Sequence, residues 1–324
     1  MRSLPWLKSN ARVAVQLARA PPRSWGTRFL SSGRPRLAHE VIVADALADD
    51  ASQCTKTAVV MHGVLGHHKN MRQISTKLAN TFPHYRFLLV THRGHGMSET
   101  GQAPFSVHAC AQDVLALLQD KELTPDVVIG HSFGGKVALA MLETSIEKPE
   151  FSDLRARNTC VLDCPPGAWT FASSPFSSIA SQAQDVIDTV RSLPDTFKSK
   201  TEVANMFVDH GFDEALAQWM TLNLKKHNGD YRFMFNVDVL HKLLQDHKKL
   251  DFWQFLNSKE LAQAHANIQF IRAERNPAWC PLVLGRLGQI SNPRITELEL
   301  EGVGHWLHAE KPSELVALMH PNFL

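Results

Sequence analysis

The sequence predicts an α/β fold: a mainly parallel central sheet with flanking helices and a helical lid inserted before the last two strands. Three observations predict it. Short apolar runs alternate with amphipathic stretches along most of the chain. From Pro165 to about Leu256 that rhythm gives way to helical pieces and polar loops, then resumes. A Gly-x-Ser-x-Gly turn, Gly130-His131-Ser132-Phe133-Gly134, stands where a strand hands over to a helix.

Thr57–His62 (TAVVMH) reads as the first buried strand, and Asn70–Thr81 as a helix with Met71, Ile74 and Leu78 at helical spacing. Phe87–His92 (FLLVTH) is the second strand and Ser106–Asp120 the second helix. Asp126–His131 (DVVIGH) leads to Ser132, Phe133–Thr144 is a strong helix, and Thr159–Asp163 (TCVLD) is another strand. The interruption holds helical segments at Ser178–Leu193, Thr201–Asp209, Asp213–Leu224 and Val237–Leu250. Strands return at Asn267–Ile271 (NIQFI) and Ile295–Leu300 (ITELEL), and the helix Pro312–Met319 closes the chain. The expected organisation is an address segment over 1–36, then one domain over 37–324 with a lid at about 165–256. A separate helical domain is the alternative for the interruption.

Charge separates the ends of the chain. Residues 1–39 carry Arg2, Lys8, Arg12, Arg19, Arg23, Arg28, Arg34 and Arg36 and no acid; setting these eight aside leaves 26 of the 34 Lys+Arg against 32 acids. A mildly acidic body argues against nucleic acid as a partner. The Arg- and Ser-rich, acid-free start reads as an organelle transit peptide, with a processing-type stretch at Arg28-Phe29-Leu30-Ser31-Ser32-Gly33. The expected location is the mitochondrial matrix, with the plastid as alternative. No apolar run reaches the ~18–20 residues of a membrane helix. Five cysteines without regular spacing point away from a secreted disulfide framework.

The chemistry centres on Ser132. Glycines two before and two after it let the backbone turn sharply and lift the hydroxyl above the sheet edge, with the next helix aiming N–H groups at the site. A serine needs a base. In this arrangement the order is serine, acid, histidine, and Gly302-Val303-Gly304-His305-Trp306 follows the last strand. His305 is the expected base. For the acid, Asn276 stands where an aspartate is usual after the penultimate strand. Asp163, at the end of TCVLD, is preferred, with Asp238 and Glu274 as alternatives. His62-Gly63-Val64-Leu65-Gly66 reads as the oxyanion loop, so the expected donors are the main-chain N–H groups of Val64 and Phe133. Thr91-His92-Arg93-Gly94-His95-Gly96-Met97-Ser98 reads as a structural turn in which Arg93 ties loops together. The histidines lie on different loops without ligand spacing, so no metal and no cofactor is expected.

These residues together resemble the α/β-hydrolase superfamily across about residues 40–324. Within it they are similar to the family of α/β-hydrolase domain-containing protein 11 and its bacterial esterase relatives. The likeness rests on His62-Gly63-Val64-Leu65-Gly66, on Arg93 with His95-Gly96-x-Ser98, and on Gly-His-Ser-Phe-Gly-Gly-Lys at 130–136. It rests further on Val161-Leu162-Asp163-x-Pro165, on Tyr231-Arg232-Phe233 with Asn236-Val237-Asp238, and on Gly304-His305-Trp306-x-His308. The resemblance implies an α/β-hydrolase fold, a serine hydrolase acting on carboxylic esters, and a mitochondrial location for eukaryotic members. Two positions depart from it. Phe133 replaces a usual methionine, which would reshape the acyl pocket, and Thr91 replaces a frequent aspartate, which puts the loop tether in question. The expected substrate is a small-molecule ester with an apolar acyl chain, in view of the aromatic and methionine content of the lid. Thioesterase and carbon–carbon hydrolase share the constellation. A hydrolase-fold binding protein that does not turn over, or a structural partner of a larger complex, are the readings from another class.

Overall fold

The computed structural model describes residues 34–48, 51–169 and 177–324. The address segment therefore lies almost wholly outside the described residues. Among them the strands are β1 (His39–Ile42), β2 (Lys56–Met61), β3 (Tyr85–Val90), β4 (Val127–His131), β5 (Asn158–Leu162), β6 (Leu224–His227), β7 (Asp230–Phe233), β8 (Asn267–Ala273) and β9 (Ile295–Leu300). Seven form one sheet in the order β1-β3-β2-β4-β5-β8-β9. All neighbours run parallel except β1, which pairs antiparallel with β3.

The central strands are apolar because both faces of the sheet are covered. Residues 57–61 of β2 and all of β4 are buried. The main helices are α1 (Arg72–Thr81), α2 (Val107–Asp120), α3 (Phe133–Glu147), α4 (Ser177–Ser192), α5 (Lys200–Asp209), α6 (Glu214–Met220) and α7 (Val237–Lys249). One core cluster gathers α2, α3 and one sheet face; a second gathers α1, the closing helix Pro312–Met319 and the other face. Ser106 starts α2 by accepting the N–H of Ala109 at 3.1 Å, one of the orphan donors of a helix start. The chain order reverses between β2 and β4, and the crevice at such a switch point is where open α/β sheets place their sites. The loops after β2 and β4 both open there.

The segment between β5 and β8 holds α4 to α7 and has its own apolar cluster, including Val186, Phe207, Leu216 and Leu240. It is not purely helical. Residues 224–233 form an antiparallel hairpin, β6 with β7, where helical pieces and loops were expected. Asn228 and Gly229 turn it with φ of 51° and 91°, the backbone that a two-residue hairpin turn requires. The edge strand β1 is a second element without an expected counterpart. Cys110, Cys160 and Cys164 are buried thiols, and Cys280 is a partly exposed one.

Candidate active site

Ser132 is the residue after β4 and the N-cap of α3, with φ 53° and ψ −118°. A non-glycine residue there is strained, and such strain persists only where surrounding structure imposes it. The glycines of the motif supply the room. A Cβ on Gly130 would lie 2.0 Å from the Gly134 carbonyl oxygen, and one on Gly134 would lie 2.7 Å from that of His62. The Ser132 N–H still continues the sheet, donating to the Leu162 carbonyl at 2.9 Å.

Asp163 is placed in the same way one strand over. It follows β5, and its N–H donates to the Ile271 carbonyl at 2.8 Å. Its φ of 48° swings the side chain out of the strand direction. The side chain is fully buried and meets His305, whose Nδ1 lies 2.6 Å from Oδ2. Three further donors complete the carboxylate: the Ala273 N–H at 2.9 Å, the Trp279 indole N–H at 2.7 Å and the Asn276 side-chain amide at 2.7 Å. Asn276 therefore donates to the carboxylate of Asp163, which the neighbouring strand supplies. Neither other acidic candidate is paired with His305. Asp238 lies at the start of α7, side chain 70% exposed, bonded to Arg191. Glu274 accepts the Gly302 N–H at 2.6 Å and so braces the loop that carries His305.

His305 is also held from the elbow. His131 Nε2 lies 2.8 Å from the His305 carbonyl, and the two rings are 4.7 Å apart. Burial, then repulsion from His308 and His305, holds His131 well below the usual imidazole range. A neutral His131 with its proton on Nε2 donates that bond. Asn276 and Trp279 carry no motif signature of their own, and His131 fills a variable position of the Gly-x-Ser-x-Gly turn; the one hint in the sequence was an amide in the acid's customary place.

Val64 sits in the turn Gly63–Gly66, closed by the Gly66 N–H on the Gly63 carbonyl at 3.1 Å. A Cβ on Gly63 would stand 3.2 Å from Ser132 Cβ, so this turn abuts the elbow. Phe133 is the first residue of α3, where an N–H has no acceptor within the helix. Its ring is buried against His92 and His247 and does not line the cavity, contrary to the expected effect on an acyl pocket. Thr91 supplies the tether put in question by its identity: its hydroxyl oxygen lies 3.0 Å from the His68 N–H and 2.7 Å from His68 Nδ1. Arg93 acts as expected, with a two-pronged bond to Asp113 and further bonds to the Gln102 and Pro104 carbonyls.

Ser132 and His305 line one cavity of about 320 Å³. Its wall from the β5–β8 segment is largely apolar, with Trp169, Val186, Leu216, Trp219 and Leu244. Among the described residues no aspartate or glutamate lines it. A serine hydroxyl, an imidazole backed by a saturated carboxylate, main-chain N–H groups and an apolar chamber are the parts of a nucleophilic acyl-transfer site.

Residues 58–318 match the Alpha/beta hydrolase family. The chain is 26% identical over 290 residues to the sn-1-specific diacylglycerol lipase ABHD11 of Xenopus laevis, covering 86% of this chain and 83% of that protein. It is 21% identical to esterase YbfF of Escherichia coli, covering 80% of this chain and 89% of that one. Among solved structures, a marine microorganism esterase superposes with a TM-score of 0.71 at 20% identity, over 89% of this chain and 99% of the other.

Proposed function

The chain belongs to the α/β-hydrolase family, and on that premise we propose that it is a serine hydrolase that cleaves carboxylic esters through an acyl-enzyme. The observation that carries this is the 2.6 Å bond from the buried Asp163 to His305, which lines the same cavity as Ser132. Asp163 orients the imidazole with its proton on Nδ1, leaving Nε2 to accept the Ser132 proton. The Ser132 oxygen then attacks the ester carbonyl, and the N–H groups of Val64 and Phe133 hold the developing oxyanion. His305 returns the proton to the leaving alcohol. It next takes a proton from water, whose oxygen attacks the acyl carbon; the bond from that carbon to Ser132 Oγ breaks, Oγ regains the proton from His305, and the acid leaves.

The apolar wall and the named activity of the Xenopus laevis relative favour an ester with an apolar, lipid-like acyl chain. The Arg-rich, acid-free first 39 residues favour import into the mitochondrial matrix. Two experiments test the reading. A fluorophosphonate probe labels the wild-type protein at Ser132 and leaves Ser132→Ala and His305→Ala unlabelled; a folded wild-type protein that resists the probe contradicts it. A series of p-nitrophenyl esters and matching thioesters gives kcat/KM rising with acyl length and favouring the oxygen esters; a preference for the thioesters makes it a thioesterase instead.

A further inference from the structure

One buried charge has no part in that chemistry. Lys136 lies on α3, four residues beyond Ser132, and its side chain is fully buried. Its ammonium group donates to three main-chain carbonyls: Gly167 at 2.9 Å, His247 at 2.8 Å and Leu250 at 2.7 Å. Three N–H groups meet three acceptors, the full donor complement of a lysine. The acceptors come from opposite ends of the lid. Gly167 belongs to its entry, while His247 and Leu250 belong to the C-terminal end of α7 and the residue after it. Carbonyls at a helix C-terminus carry partial negative charge and favour a cation.

The same place builds the cavity wall. Trp169 and His247 both line the cavity, their rings 4.8 Å apart, and the ammonium lies 5.9 Å from the Trp169 ring. Two main-chain bonds join the lid ends beside it: the Trp169 N–H to the Lys248 carbonyl at 2.7 Å, and the Phe252 N–H to the Pro166 carbonyl at 3.0 Å. We propose that Lys136 is a positioning residue: its ammonium clasps both ends of the lid onto the helix that begins at the nucleophile, and so fixes the Trp169–His247 wall against which the acyl chain lies. The clasp is a matter of geometry alone; its effect on acyl chains rests on the ester-hydrolase reading.

Burial draws the Lys136 pKa down to about 8, opposed by Cys164 after β5, Asp251 after α7 and Asp246 on α7. His247 faces the ammonium as a neutral ring, held low by burial and then by Lys136 itself. Below about pH 8 all three carbonyls have a donor. Above it the amine keeps two N–H groups and one carbonyl loses its partner.

Lys136→Met removes every donor at similar size, and Lys136→Gln keeps two. Backbone hydrogen exchange at Trp169 and Phe252 reads the clasp directly. In Lys136→Met these two amides exchange at least about tenfold faster while β2 and β4 keep their protection, and Lys136→Gln falls between. KM for p-nitrophenyl octanoate rises about tenfold, while kcat on the acetate stays within about threefold. Unchanged exchange, or an equal loss on both esters, overturns the proposal. If Lys136→Met does not fold, the wild type decides: both amides lose protection between pH 7 and 9 beyond the intrinsic rise, and constant protection overturns it. Exchange needs no substrate. A responsive clasp in a protein without esterase activity therefore defeats the ester reading alone, and esterase activity with an unresponsive clasp defeats this proposal alone.

Discussion

Lowering the pH from 7.5 to 5.5 removes most of the stability of this fold. The rings of His62, His92, His95, His131, His247 and His308 are all buried. Burial is the first cause that holds each of them low: His92 to about 3, His95 and His308 to about 4, and the other three well below the ordinary value. In the unfolded chain the same rings take up protons near pH 6.5. A group whose folded pKa is lowered contributes stability above its unfolded value and loses it as pH falls, so the window opens at about 6.5 and runs down to about 4. One pH unit into that window each ring costs about 1.4 kcal/mol, and six together about 8 kcal/mol. That is the size of a whole domain's stability, about 5–15 kcal/mol. Carboxylates, with unfolded values near 4, titrate little over the same range. Urea unfolding followed by tryptophan fluorescence reads the effect. The midpoint falls steeply from pH 7.5 to 5.5, and His308→Gln flattens the slope by one proton. Equal midpoints at the two pH values would refute the burial argument.

Asp163→Asn leaves a folded protein but lowers kcat about 10⁴-fold, because the amide no longer sets the imidazole tautomer. Asp238→Asn keeps kcat near wild type, and steady-state kinetics on one p-nitrophenyl ester separates the two. Asn276→Leu removes one charge-assisted bond to Asp163, worth about 1.5–3 kcal/mol; kcat/KM falls about 10–100-fold, and an unaffected enzyme would contradict the assigned role. Gly134→Ala forces a Cβ to 2.7 Å from the His62 carbonyl, an overpacking cost of about 1–3 kcal/mol visible as a lower urea midpoint.

The sheet and the elbow were legible because their constraints are local. Val127–Ile129 can only be a buried strand, and Gly130 and Gly134 are required by backbone contacts that no side chain could survive. The pairing of His305 with Asp163 was legible from chain order and from the strand end that carries Asp163. Asn276 was not, since its meaning lies in which side chain it bonds across the sheet. The hairpin of β6 and β7 was hidden by charge: LKKH and DYRF bury little, although Asn228-Gly229 was a usable turn signal. Lys136 carried no hint of burial, because three carbonyls distant in sequence satisfy it. The strand β1 buries only Ile42 and takes its register from β3.

The most direct test of the account is rapid-quench mass spectrometry of the protein mixed with a p-nitrophenyl ester. A nucleophilic Ser132 gives a burst of p-nitrophenol and an acyl adduct on the peptide that contains Ser132, at close to one per chain, and no adduct in Ser132→Ala. Turnover without an adduct on that peptide, or an adduct elsewhere, contradicts a nucleophilic Ser132.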